Sequence, residues 1–225
     1  MKERPTANNP DPVPPVRSSR TMSREMRRRQ LFEATLDTIA EFGYSQTTIA
    51  EVARRAGLSH GLVHWHFETK EKLLAETLDY LSDEYVSNWS SALLAAGPRP
   101  EQRLAALIEA DFKPHVCKHN RIAAWCAYWG ESQGRPLYMS RCGSNDELYI
   151  STLEGICVEM KTAYGYEIDP ARAARLIRIS IEGTWLEIIT LLNPYAVDEA
   201  KATVWTCANL IYPRHFGPLG LITGA

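Results

Sequence analysis

Thr47-Thr48-Ile49-Ala50-Glu51-Val52-Ala53-Arg54-Arg55-Ala56-Gly57-Leu58-Ser59-His60-Gly61-Leu62-Val63-His64-Trp65-His66-Phe67 holds two short helical patterns parted by Ala56-Gly57-Leu58. Thr48 followed three residues later by Glu51 is a capping box, which predicts a helix beginning at Ile49. Ile49, Val52 and Ala53 recur at helical spacing and give that helix one apolar face. Gly57 is free to take the left-handed conformation that ends a helix, and Ser59 can cap the next one. In the second helix Val63 and Phe67 point back to the first, leaving His60, Gly61, Leu62, His64 and Trp65 facing outward. A short helix buried along one edge, with ring nitrogens and donors along the other, suits entry into a DNA major groove. The pattern reads as a helix-turn-helix.

Before it, residues 1–22 are rich in proline with almost nothing apolar, and read as a disordered arm. Arg17, Arg20, Arg24, Arg27, Arg28 and Arg29 lead into a first helix running to about Phe42, with Phe32, Leu36, Ile39 and Ala40 inward and Gly43 as its cap. These arginines fit either a solvated helix start or phosphate contact. After it, Thr69 caps a long helix through about Ala95 that stops at Gly97-Pro98-Arg99-Pro100. Further helices are predicted over Glu101 to Phe112, about Arg121 to Ser132, and about Leu137 to Tyr164, the last interrupted at Gly143-Ser144. Asp169-Pro170 opens another, and Asp198 a final one with Val204, Cys207, Ala208 and Ile211 on one face. No strand pattern shows. The chain is predicted to be all-α: an arm (1–22), a three-helix DNA-binding domain (23–70), a helical ligand-binding and dimerisation domain (71–216) and a tail (217–225).

The net charge of −2 hides an asymmetry: residues 1–70 carry +3 and residues 71–225 carry −5. A basic leading third and an acidic remainder fit phosphate contact at one end and another partner elsewhere. The five cysteines show no metal spacing and read as reduced and packed. No apolar run reaches the length of a membrane span and no signal-peptide pattern is present, so a cytoplasmic protein with no membrane partner is expected. No nucleotide loop, G-x-S-x-G or H-E-x-x-H appears, which argues against an enzyme and implies no cofactor. His60, His64 and His66 lack a nearby acidic or cysteine ligand, so packing outweighs zinc as the reading of His66.

T-T-I-A-E-V-A-R-R-A-G-L-S-H-G-L-V-H-W-H-F-E-T-K-E-K-L-L, preceded by a helix ending in Phe42-Gly43-Tyr44, resembles the DNA-binding domain of the TetR family of repressors over residues 27–75. R-R-R-Q-L-F-E-A-T-L, A-W-C-A-Y-W and E-G-T-W-L are similar to the choline-responsive members of that family. The resemblance implies a repressor that binds a pseudo-palindromic double-stranded operator as a homodimer. It places base-edge contacts at His60 and Leu62, and phosphate contacts at Ser59, His64 and Lys70, joined by Thr47 or Thr48. The family usually has tyrosine where His64 stands.

Five of the six tryptophans (Trp89, Trp125, Trp129, Trp185, Trp205) follow residue 75. Trp125, Tyr128 and Trp129 share one helical face, and Trp185 follows Glu182 in E-G-T-W, which resembles the family's ligand-side helix. Such a stripe reads as core or as a cage for a quaternary ammonium ion, which is held by ring faces and charge rather than strong hydrogen bonds. The cage reading predicts a site drawn from Trp89, Trp125, Tyr128, Trp129 and Trp185 with Glu182 or Glu131 near the cation. By the resemblance, the ligand is choline or a relative, serving control of glycine-betaine synthesis or uptake. The core reading leaves a DNA-binding module with no small-molecule input. The helices over 170–192 and 198–212 carry apolar residues on more than one side, which predicts dimerisation through both.

Overall fold

Two hydroxyls fix where the amino-terminal helices start. The computed structural model describes residues 19–131 and 135–222, beginning with α1 (Ser19–Phe42), α2 (Ile49–Ala56) and α3 (His60–Phe67). Thr48 Oγ1 accepts the Glu51 N–H at 3.2 Å, and Ser59 Oγ accepts the Leu62 N–H at 3.2 Å. The capping box is half made, because the Glu51 carboxylate bonds Arg54 Nε at 2.9 Å instead of returning to the Thr48 backbone. Gly57 sits at φ +65°, and the Leu58 N–H reaches the Ala53 carbonyl at 2.9 Å, closing α2 in a Schellman turn. Leu31, Phe32, Val52, Ala53, Val63 and Phe67 form one core, completed by Leu73 from the next helix. The chain is helical from Ser19, inside the segment expected as an arm; residues 1–18 lie outside the described residues.

That next helix, α4 (Lys70–Ala95), is the spine of the molecule. It joins the first core through Leu73 and a second, with Leu36, Ile39 and Tyr44, through Leu74, Leu78 and Leu81. Trp89, near its far end, belongs to a third core built from the carboxyl-terminal helices. Around it lie α5 (Pro100–Asp111), α6 (His119–Gly130), α7 (Arg135–Tyr164), α8 (Pro170–Thr190) and α9 (Val197–Ile211). The interruption expected at Gly143-Ser144 is absent, and α7 is continuous. A mid-helix glycine costs roughly 1 kcal/mol relative to alanine, and the buried Tyr138, Cys142, Tyr149 and Leu153 anchor the helix on both sides of it. The preceding helix, expected to reach about Ser132 and stop near Gly134-Arg135-Pro136, ends at Gly130, and Arg135 and Pro136 open α7; residues 132–134 lie outside the described residues.

The chain does not end in a plain tail. β1 (Phe216–Gly217) pairs antiparallel with β2 (Gly220–Leu221), and Phe216 stacks on Trp205 at 5.8 Å. Strands this short leave no alternation to read in the sequence. Residues 223–225 lie outside the described residues.

The outward side of α8 carries Leu176, Ile179, Gly183 and Leu186 along one stripe, with Leu186 48% exposed. Beside it α9 presents Thr203, Thr206 and Leu210, the last 80% exposed. Val204 and Ala208 are buried in the protein's own core, so the apolar face expected on α9 splits between inside and outside.

Candidate functional site

Five residues of α3 turn as the sequence predicts: His60, Gly61, His64 and Trp65 are exposed and Leu62 is half-buried. Trp65 is 64% exposed, and the Arg24 guanidinium lies 5.4 Å from the centre of its ring. His66 is buried beside Phe67, and burial, followed by Arg28 and Arg24, pushes its pKa down, keeping the ring neutral. Lys70, at the start of α4, donates from Nζ to the Ser45 carbonyl at 2.8 Å, which holds the ammonium at the α1–α2 turn. Thr48 and Ser59 hydroxyls are engaged as caps, so both residues present helix N-termini on this side. Thr47 departs from expectation. Its side chain is fully buried and its hydroxyl donates to the Gly43 carbonyl at 2.8 Å, which removes it from the surface.

A second site lies between α4, α6, α7 and α8. A cavity of about 270 Å³ is lined by Tyr85, Trp125, Trp129, Tyr138, Asp146, Tyr149, Ile150, Arg178, Glu182 and Trp185. Its tyrosines stand across its tryptophans. Trp125 and Trp129 stack at 6.0 Å, and Tyr138 stands across them at 6.0 and 6.1 Å with interplanar angles of 87° and 90°. Tyr85 stands edge-on to Trp125 at 6.2 Å and to Trp185 at 6.0 Å. Asp146 accepts the Tyr138 hydroxyl at 2.5 Å, and Glu182 pairs with Arg178 at 2.8 Å. Burial raises the pKa of both carboxyls, with Tyr138 opposing the rise at Asp146 and Arg178 opposing it at Glu182. One basic group and two acidic ones therefore share an aromatic box.

Of the residues expected in this site, Trp125, Trp129, Glu182 and Trp185 line it and three do not. Trp89 lies behind Tyr149, edge-on at 5.7 Å. Tyr128 is fully buried beside Trp125 and Trp129 but turned toward α4 and the α1–α2 turn, its hydroxyl donating to the Leu74 carbonyl at 2.8 Å and its ring against Tyr44. Glu131 turns away altogether: its carboxylate accepts the backbone N–H groups of Tyr44 and Ser45 at 2.9 and 3.1 Å, and the Ser45 hydroxyl. Sequence reasoning missed Tyr85, Tyr138, Asp146, Tyr149 and Arg178. A usable signal was there in Asp146 and Tyr149, three apart on one helix, and in Arg178 and Glu182, four apart on the next.

The helix that carries Trp125 and Trp129 is fastened to α1 and α4 at one end and to the turn before α2 at the other. Asn120 donates to Asp37 at 2.6 Å, and the buried Arg121 grips Glu33 through two bonds of 2.6 and 2.7 Å and Glu84 through one of 3.1 Å. The Arg121 guanidinium beside Glu33 holds that carboxyl below its usual range. At the other end Glu131 holds the turn before α2. Gly43 opens that turn at φ +83°, and a Cβ there would stand 3.1 Å from Glu131 Oε1.

Comparison with known proteins agrees with both halves of this architecture. Residues 31–77 match bacterial regulatory proteins of the tetR family, and residues 100–209 match the BetI-type transcriptional repressor C-terminal domain. The chain is 34% identical over 180 residues to the HTH-type transcriptional regulator BetI of Paraburkholderia phymatum, spanning 79% of this chain and 88% of that protein. A transcriptional regulator from Saccharomonospora viridis, solved in complex with choline, shares the fold with a TM-score of 0.66 at 20% identity, over 80% of this chain and 94% of its own. FadR of Bacillus subtilis, solved in complex with stearoyl-CoA, gives a TM-score of 0.65 at 20% identity, over 81% and 97%. One fold thus serves very different ligands, and the lining of the cavity has to decide between them. The matching relatives are transcriptional regulators rather than enzymes. The chain belongs to the TetR family of transcriptional regulators and carries the C-terminal domain of a BetI-type repressor.

Proposed function

We propose that this repressor senses choline or a closely related trimethylammonium compound in the cavity between α4, α6, α7 and α8. The observation that carries the reading is the box of Trp and Tyr rings, in which Tyr138 stands square to the stacked Trp125 and Trp129, with more acid than base among its walls. A trimethylammonium group keeps its charge at every pH and offers only polarised methyls, so it binds over ring faces at roughly 0.5–2 kcal/mol each. Size argues the same way. A cavity of about 270 Å³ walled mostly by aromatic rings suits a small cation better than a long acyl chain.

On the DNA side, the reading assigns base-edge contacts to His60 and Leu62, and phosphate contacts to Ser59, His64, Lys70 and the N-terminus behind Thr48, with Trp65 at the margin. Residues 23–70 then form the DNA-binding domain and 71–216 the ligand and dimer domain. A homodimer through the exposed stripe of α8 and α9 would set two recognition helices ~34–36 Å apart on a pseudo-palindromic operator. Ligand entry acts on α6, whose two ends hold α1 and the turn before α2. A few kcal/mol of differential affinity suffices to shift the dimer between spacings. Glycine-betaine synthesis or uptake is the process such a sensor would control.

Tryptophan fluorescence titrated with choline, glycine betaine, carnitine and 3,3-dimethylbutanol (choline with carbon in place of nitrogen) tests the reading. Saturable changes with the quaternary ammonium compounds, and much weaker ones with the neutral isostere, are expected. No change with any of them would make the aromatic set ordinary core and remove the sensor.

A further inference from the structure

Behind the aromatic box lies a carboxylate that does not line it. Asp111, the last residue of α5, is fully buried. Its Oδ1 accepts the Tyr85 hydroxyl at 2.8 Å and its Oδ2 accepts the Tyr149 hydroxyl at 2.6 Å. Both tyrosines are walls of the cavity, their rings 5.9 Å apart. We propose that Asp111 is the buried counter-charge of the cation site, acting through the two phenol hydroxyls to make the Tyr85 and Tyr149 rings better seats for a permanent cation.

This rests on the reading of the cavity as a quaternary ammonium site. An ionised acceptor on a phenol hydroxyl pushes electron density into the ring and deepens its negative face, which is the part a cation meets. A charge in a water-poor interior is also screened less than one at the surface. The groups facing Asp111 are few. Tyr85 comes from α4, Tyr149 from α7, Glu182 from α8, and Cys117 from the segment after α5, whose Sγ donates to the Asp111 carbonyl at 3.4 Å. Among the described residues no cation bonds its carboxylate; Lys201 on α9, beyond Cys117, is paired with Glu109 at 3.0 Å. Arg178, the base in the cavity wall, pairs with Glu182. Asp111 is therefore a positioning residue that acts on the cavity through its two tyrosines. Burial lifts its pKa to about 7, with the Tyr149 and Tyr85 hydrogen bonds opposing the rise. An arriving cation favours the ionised form, so binding expels a proton and the affinity rises with pH through the neutral range.

Calorimetric titration of the full-length protein with choline and with 3,3-dimethylbutanol, from pH 5.5 to 8.5, tests this. If the cation lowers the Asp111 pKa by one unit, choline binds about tenfold more tightly at the alkaline end. The neutral isostere is expected to show no such slope, and heats near pH 7 should differ between phosphate and Tris by the proton released. Asp111→Asn should flatten the choline profile at its weak, acidic level and lower the ratio of choline to isostere affinity; circular dichroism melting checks its fold. A folded Asp111→Asn protein that keeps the choline-to-isostere ratio of the unsubstituted protein overturns the proposal. So does a folded Asp111→Asn protein that keeps the slope. In both cases the aromatic cage still stands. Absence of choline binding at every pH sinks the cage reading, and this proposal with it.

Discussion

The outward face of α3 and the cavity between α4, α6, α7 and α8 are encoded in different ways. The face is local. Thr48, Gly57 and Ser59 start and stop two helices, and helical spacing alone then decides which side of α3 each residue occupies. The cavity draws Tyr85, Trp125, Tyr149 and Trp185 from four helices spread over a hundred positions. Which side of each helix turns inward there depends on what packs against it. The two also handle polar chemistry differently. The face keeps its ring nitrogens exposed, whereas the cavity half-buries Asp146 and Glu182 in its walls and has the fully buried Asp111 behind them, and desolvation raises the pKa of all three. On the function proposed above, the surface meets a polyanion and the box a cation, and a ligand-controlled repressor has to combine the two.

The largest effect is expected where both regions depend on a second copy of the chain. Leu186→Glu places a charge at the carboxyl-terminal end of the exposed α8 stripe and touches neither the face nor the cavity. Sedimentation should report a monomer, and operator affinity should fall by about 100-fold or more, as expected when two linked contacts become one. A folded variant that remains dimeric would move the interface off this stripe. Next in size is Trp129→Leu. Trp129 is half-buried and stacked on Trp125, so the fold should survive. Losing one ring wall should weaken choline by up to roughly 30-fold, the upper end of a single cation–π contact. Operator binding without ligand should stay as it was. Unchanged choline affinity would separate this wall from the ligand.

How much could be read in advance follows the same division. The helix-turn-helix, its caps and its outward residues were legible because each rests on neighbours within a few positions. Even there Thr47 misled: next to a helix N-terminus, threonine looks exposed, but the 0% exposure of this one comes from the turn folding back through Gly43. In the cavity, Trp125, Trp129, Trp185 and Glu182 were legible as an aromatic and acidic set. Tyr128 was not separable from Trp129, since one residue of offset on α6 decides between Leu74 and the cavity. Asp111 carried no local signal at all. It ends an ordinary amphipathic helix, and only the convergence of Tyr85 and Tyr149 marks it.

Within the face, two substitutions should separate reading from holding. His60→Ala removes a donor or acceptor from a base edge, and discrimination between operator variants should fall by about tenfold, near the lower end of a specific base contact. Lys70→Ala removes one positive charge tethered beside the α1–α2 turn. It should weaken all DNA alike and reduce the salt dependence of binding by about one phosphate. Binding assays on matched and mismatched operators at several salt concentrations distinguish them. Equal behaviour of the two variants would break the division between base-reading and phosphate-holding positions.

The smallest expected effect bears on the link between the two regions. Glu131 follows the helix that carries Trp125 and Trp129, yet its carboxylate holds the Tyr44 and Ser45 N–H groups and the Ser45 hydroxyl at the turn before α2. A carboxylate accepts at both oxygens, whereas glutamine turns one of them into an amide that faces N–H donors. Hydrogen bonds to a charged group are worth roughly 1.5–3 kcal/mol, so the turn should loosen from α6 without unfolding either region. Choline affinity should stay unchanged in Glu131→Gln, because the cavity is untouched. The change in operator affinity on adding choline should shrink by about fivefold, the lower end of a typical coupling free energy. Measuring operator affinity with and without saturating choline reads that ratio directly. If Glu131→Gln keeps the full ratio, the message travels through Arg121, Glu33 and Glu84 at the other end of α6. Charge-neutral replacement of Glu33 would then be the variant that silences it.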